Sequence, residues 1–235
     1  MKSFLNSMEY IRHYGKALDL KGIQSAVLCM DASLAKKMSL KYQAQRTQAL
    51  GACFDVYQEF QKVIVSQFGF GAPASLLQLE YLKTFGIQNI FSLGTACSLS
   101  PKLNRADGVW LQKAYGRSSY ASFDDSTSSF IESSQLKPKL LEDLQLQAVT
   151  SWTSDAPYQE TDLNRALSLG VSCFAMAARA LMGVAQQGDL NMFCLALISD
   201  RFYEGQWELG FSHKELKQKA LHTLELLLKS KAVPS

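Results

Sequence analysis

The sequence predicts an α/β fold, a mostly parallel sheet with helices on both faces. Three observations predict it. Short apolar, strand-like runs alternate with segments of helical period. Glycine-rich or acidic turns follow four of the predicted strands, where open α/β sheets place their ligand sites. The composition, 47% hydrophobic and 19% charged over 235 residues, supplies a sizeable core and excludes a disordered chain.

The elements follow in order. Ile23–Cys29 reads as a buried strand, and Val63–Phe68 as a second. Ser75–Phe85 carries Leu76, Leu79, Leu82 and Phe85 at helical spacing, and Gly86 stops that helix. Asn89–Leu93 is a third strand, with Val109–Leu111 and Leu146–Trp152 as further strands. Ser118–Ser134 is rich in Ser and Asp and reads as a surface loop. Val171–Ala185 is almost wholly apolar and long enough for a buried helix. Asn191–Ile198 is a strand ending in Ser199-Asp200. Lys214–Leu228 closes the chain as an amphipathic helix with Leu216, Ala220, Leu224, Leu227 and Leu228 on one face. There is no internal repeat and no dividing linker, so residues 1–235 read as one domain.

Several classes are excluded. A net charge of +3, from 24 basic and 21 acidic residues, is too balanced for nucleic-acid binding by bulk electrostatics. With 14 Gly and 5 Pro the chain is neither collagenous nor of low complexity. The five Cys form no CxxC pair and sit in apolar sequence, as free thiols of a reducing compartment do. Met1–Tyr10 is polar and lacks a signal-peptide core. No apolar stretch approaches the ~20 residues that span a bilayer. A cytoplasmic protein without a membrane partner is therefore expected. His13, His213 and His222 are scattered, without metal-ligand spacing, so neither metal nor cofactor is expected. His213 reads as a cap of the last helix. Cys97 follows Gly94-Thr95 but has no His partner, and reads as a small buried thiol. Gly69-Phe70-Gly71 lacks the rest of a dinucleotide fingerprint.

Four strand ends are candidate ligand contacts: Gly69–Pro73, Gly94–Cys97, Ser154–Tyr158 and Ser199-Asp200. Their residues resemble the purine nucleoside phosphorylase and uridine phosphorylase superfamily. Gly69–Leu99 (GFGAPASLLQLEYLKTFGIQNIFSLGTACSL) resembles a G-[IM]-G-x-P-S turn, a helix and a strand ending in R-x-G-[ST]-x-G. Thr153–Thr161 (TSDAPYQET) resembles T-[TS]-D-x-[FP]-Y, and Phe174–Leu181 (FAMAARAL) resembles V-E-M-E-x-x-A-L. Leu197–Asp200 (LISD) resembles V-[VI]-S-D, and Trp207–Phe211 (WELGF) resembles a tail segment of some members. Order and spacing match over roughly residues 22–230.

The resemblance implies a three-layer α/β/α sandwich around a mixed sheet. It also implies action on the N-glycosidic bond of a nucleoside, by phosphorolysis or hydrolysis, usually in a homo-oligomer. The small-molecule partner would be a nucleoside or nucleobase, with phosphate as a second candidate. Asp200 matches the acid that assists the departing base, and a buried strand-end acid can serve as a general acid. Gly71, Gly94, Thr95, Tyr158, Phe174 and Met176 match substrate-binding positions. The chain also departs from the pattern. Ala175 and Ala177 stand where the family carries two acids beside the ribose. Ser92 and Leu34 stand at its two phosphate arginines, and Met30 replaces a glycine. Arg46, Arg105 and Arg117 are alternative cations from loops, whereas Lys36 and Lys37 should face solvent. Water needs no arginine, so hydrolysis suffers less than phosphorolysis. The alternative is a catalytically inactive pseudoenzyme, or a module that binds a nucleoside or nucleobase.

Overall fold

The computed structural model describes residues 7–14, 18–117, 130–133, 139–159 and 161–230. The first part contains α1 (Ser7–Tyr14), β1 (Ser25–Cys29), α2 (Ala32–Lys41), β2 (Gln45–Ala49), β3 (Ala52–Tyr57) and β4 (Lys62–Ser66). Then come α3 (Gly71–Thr84), β5 (Asn89–Ser98), β6 (Gly108–Arg117), β7 (Ile131–Glu132), α4 (Lys139–Asp143) and β8 (Gln147–Ser154). The last part contains α5 (Leu163–Ser168), β9 (Cys173–Ala175), α6 (Ala178–Gln187), β10 (Asn191–Tyr203), β11 (Gln206–Glu208) and α7 (Lys214–Lys229).

Alternate residues of the central strands enter two separate cores, because successive side chains on a strand point to opposite faces. Ala26 and Leu28 of β1, Ile90 of β5 and Met192 and Cys194 of β10 pack with Leu79 and Leu82 of α3 and Leu181 of α6. Val27, Phe91, Leu93, Phe193 and Leu195 pack on the other face, with Leu34 and Met38 of α2 and Leu224, Leu227 and Leu228 of α7. The result is the three-layer arrangement that the resemblance implies.

The sheet is mixed. β1 runs parallel to β4 and β5, β5 to β10, and β8 to β6 and β9. The pairs β2–β3, β3–β4, β6–β10 and β10–β11 are antiparallel. This corrects the expectation of a mostly parallel sheet. Antiparallel neighbours need only a tight turn. Leu50-Gly51 joins β2 to β3 and Glu204-Gly205 joins β10 to β11, all four with positive φ. β2 and β11 are largely solvent-facing and show no apolar run. The strand order also closes on itself, because β5 pairs with β9 as well as with β10.

Three further expectations change. Val171–Ala185 is not one helix. Cys173–Ala175 forms β9 between β5 and β8, and α6 starts only at Ala178. A short strand buried on both faces is as apolar as a buried helix, so periodicity does not separate them. β10 does not end at Ser199-Asp200 but runs on to Tyr203. Most of the Ser118–Ser134 loop lies outside the described residues, and Ile131-Glu132 within it pair with β6 as β7.

α7 is tied down at two points. The buried Lys62 of β4 donates to the Leu227 carbonyl at 2.8 Å and to the Ser230 carbonyl and hydroxyl, closing the helix C-terminus. Glu225 accepts from Lys41 and Lys229, each at 2.9 Å, and from the Tyr42 hydroxyl, joining α2 to α7. Lys62→Met should lower stability by about 1–3 kcal/mol, since it removes those donors from carbonyls at the helix end; urea unfolding measures it. The Glu225 carboxyl is pushed down from 4.5 to about 2, first by the Tyr42 hydroxyl and then by Lys229 and Lys41. A depressed carboxyl stabilises the fold above its unfolded value and loses that contribution as pH falls through the folded one. Glu225→Gln should therefore melt below the wild type at pH 7, and the gap should close as pH falls from about 4.5 toward 2. Thermal melts across that range test it.

Candidate active site

Asp200 owes its place to a bulge. Along the parallel pair, Leu197 faces Thr95 and Ile198 faces Ala96, but the next partner of Cys97 is Asp200. Ser199 is the extra residue, which re-aims the strand at this point. Asp200 therefore lies inside β10, past the bulge, rather than at a strand end. On its other side Cys97 pairs with Phe174 of β9, so Asp200, Cys97 and Phe174 follow one another across three strands.

The Asp200 side chain is buried, with 4% of the residue exposed. A buried carboxylate requires donors. The Ser199 hydroxyl donates to Oδ1 at 2.5 Å, and the Trp207 indole N–H donates to Oδ2 at 2.7 Å. Trp207 reaches it from β11, which folds back on β10 with Phe202 opposite Trp207.

Two adjoining cavities surround this carboxylate. One, of about 390 Å³, is lined by Thr95, Phe174, Met176, Asp200 and Trp207, with Tyr158 at its rim and Trp152 at its wall. The other, of about 590 Å³, is lined by Met30, Leu34, Gly71, Gly94, Thr95 and Met176, among others. Thr95, Met176 and Phe211 border both. Five of the sequence-predicted residues (Thr95, Tyr158, Phe174, Met176 and Asp200) thus meet at the first cavity. Gly71 and Gly94 belong to the second and are linked to the first through Thr95 and Met176. Tyr158 is 84% exposed, and its ring centroid lies 6.3 Å from that of Trp207. Met176 sits at the junction of β9 and α6, not within a helix.

The glycines act through space as well as φ. Gly71 opens α3 with φ +79°, and a Cβ there would stand 3.9 Å from the Met176 methyl. At Gly94 a Cβ would come within 3.1 Å of Met30 Cγ, so the Met30 side chain already lies over that backbone. Both chambers are mainly apolar. In the larger one Lys217 and Asp31 are the charged residues among the described lining. Asp31 caps α2, its Oδ1 accepting from the Ser33 and Leu34 N–H groups at 2.8 and 3.2 Å. Arg46 pairs with the buried Asp55 at 3.5 Å and Arg105 with Glu208 at 3.4 Å, and neither lines either of these two cavities. Lys36 and Lys37 are exposed. The Arg117 side chain lies outside the described residues. Among the described residues no cluster of His, Cys, Asp and Glu could hold a metal ion, and no helix is long and apolar enough to cross a membrane.

A model of the phosphorylase superfamily matches residues 32–230. The chain belongs to that superfamily. Its fold also matches those of solved structures. Purine nucleoside phosphorylase from Toxoplasma gondii, solved with immucillin-H, aligns with TM-score 0.75 at 16% identity, over 92% of this chain and 93% of that one. The 5′-methylthioadenosine/S-adenosylhomocysteine nucleosidase of Campylobacter jejuni aligns with TM-score 0.71 at 17% identity, over 88% and 98%. Futalosine hydrolase of Helicobacter pylori aligns with TM-score 0.69 at 18% identity, over 88% and 97%. A comparison with curated proteins found no match. At these identities the structures establish the fold, and the site must be argued from this chain's own residues.

Sequence reasoning missed the parts that Trp207 and Phe211 play. Both lie in the WELGF segment, and two aromatic residues within five positions were the available signal. His213 occupies the N-cap position of α7, but its side chain makes no capping hydrogen bond. Cys97 lines the first cavity, half-buried. Burial, and then the charge of Asp200, push its thiol far above the ordinary range. Since the thiolate is the reactive form, Cys97 should alkylate with iodoacetamide at pH 8 about tenfold or more slowly than a free thiol. Mass spectrometry of the labelled protein checks this.

Proposed function

We propose that this superfamily member binds a nucleoside and acts on its N-glycosidic bond, with water as the acceptor. The observation that carries the reading is the convergence of a buried carboxylate, Asp200, with Phe174, Trp207 and Tyr158 on one cavity. Aromatic walls suit the flat face of a base, and a carboxyl group suits its polar edge. A volume of about 390 Å³ is of the size that small-molecule sites have. In the reaction the C1′–N bond breaks and its electron pair passes to the base. Asp200 gives that base a proton or shares one with it. Water adds to C1′ and loses a proton to solvent.

The larger chamber supports water over phosphate. The Asp31 carboxylate takes the N–H groups at the start of α2 that an anion would otherwise use, and its own charge opposes one. Met30 covers the Gly94 backbone, and Ser92 and Leu34 supply no cation. Lys217 is the one described cation lining the chamber. A phosphate dianion held this way would lack the bidentate guanidinium contacts that make such sites strong.

A second reading, a binding module without catalysis, has its own support. Ala175 and Ala177 flank Met176 and offer the ribose hydroxyls no side-chain acceptor. Both Asp200 oxygens are already engaged by internal donors. Following free-base release from purine and pyrimidine nucleosides separates the two readings. Hydrolysis predicts release at equal rates with and without phosphate. Asp200→Asn should then slow it by about 10²-fold or more, the usual size of a general-acid effect, with affinity largely kept. No release from any nucleoside, with binding retained, selects the module.

A further inference from the structure

Trp207 donates to Asp200, the one acid among the described residues that line the first cavity. The Ser199 hydroxyl holds Oδ1 of Asp200 from within the same strand, and Oδ2 accepts from the Trp207 indole. Trp207 itself is 48% exposed, so the bond joins a buried acid to a surface side chain. Its strand, β11, has three residues and is joined to β10 by the Glu204-Gly205 turn, so the bond is carried on a short edge hairpin. On the opposite face of that strand Glu208 lies 3.4 Å from Arg105 and 4.0 Å from Arg201, contacts too long and too exposed to fix it firmly. The geometry is that of a side chain standing in for a ligand: a planar heteroaromatic ring, an N–H donor, and a carboxylate acceptor at 2.7 Å.

We infer that Trp207 is a displaceable latch, which fills the donor position on Asp200 in the empty pocket and yields it to an N–H donor of an incoming nucleobase. The inference rests on the nucleobase reading of the cavity and adds selectivity to it. A base that presents an N–H to Asp200 replaces the hydrogen bond it breaks. A base that presents only an acceptor there replaces it only when Asp200 carries the proton that the proposed reaction transfers. The hairpin moves with the indole, and the exposed Tyr158 ring beside it bounds the opening.

The test compares the wild type with Trp207→Phe, which keeps an aromatic wall and removes the donor. Binding of adenine, hypoxanthine and uracil is measured by calorimetry. The Trp207 indole proton is followed by NMR, where the buried Trp110, which lines neither cavity, serves as the internal reference. The expected result is binding of at least one base about 10-fold more tightly by Trp207→Phe than by the wild type. That is the effect of deleting one competing hydrogen bond to a charged group. The Trp207 indole resonance should also move in the wild type on adding that base, as it does on Asp200→Asn without ligand. Equal or weaker binding by Trp207→Phe overturns the latch and leaves the nucleobase reading standing. An indole resonance unmoved by a base that binds does the same. Binding of no base by either protein removes both.

Discussion

Strand β10 pairs with β5 from Asn191 to Arg201, and on its other edge with β6 and then β11. Most of the functional geometry hangs on that long parallel pairing and on its single interruption at Ser199. Before the bulge the two strands run in plain register and bury Met192, Cys194 and Ala196 against one helical layer and Phe193 and Leu195 against the other. After it, β10 turns toward the cavity and delivers Asp200 beside Cys97. An unbroken register would carry the carboxylate to the other face, because a one-residue shift reverses every side chain.

A carboxylate delivered into a buried place has to be satisfied. The chain meets that need locally, with Ser199, and at short range, with Trp207 seven residues on. The same need makes the pocket chemically selective: whatever displaces the indole from the ionised Asp200 must bring a donor at least as good. The closed order of β5, β10, β6, β8 and β9 provides the rigid frame, so that Phe174, Trp152 and Asp200 are held by backbone pairing rather than by loops. The displaceable element inferred for the pocket is the edge hairpin that carries Trp207.

The adjoining chamber shows the opposite economy of charge. Its apolar walls, the self-capped α2 and the side chain laid over Gly94 all reduce its capacity for an anion. The superfamily frame is retained, while Ser92, Leu34, Ala175 and Ala177 give this chamber small or apolar walls. The two chambers share Thr95 and Met176, so a ligand that fills one touches the wall of the other.

The sequence by itself determined the layered α/β architecture and most of its central elements. Buried strands such as Val63–Val65 and the amphipathic face of α7 write their environment into a period of apolar residues. The ordered motifs also placed Thr95, Phe174, Met176 and Asp200 in one neighbourhood. It could not separate β9 from α6, since burial on all sides erases the period that distinguishes strand from helix. It did not show β2 or β11, whose exposed residues have no apolar pattern, nor the extension of β10 beyond a bulge. Only the tertiary structure decided that the strand order closes, that Asp31 is spent on its own helix, and that Trp207 holds Asp200. These are contacts between segments that are each locally ordinary. Their energies depend on which group a fold brings within hydrogen-bonding distance, and no local pattern of residues encodes that distance.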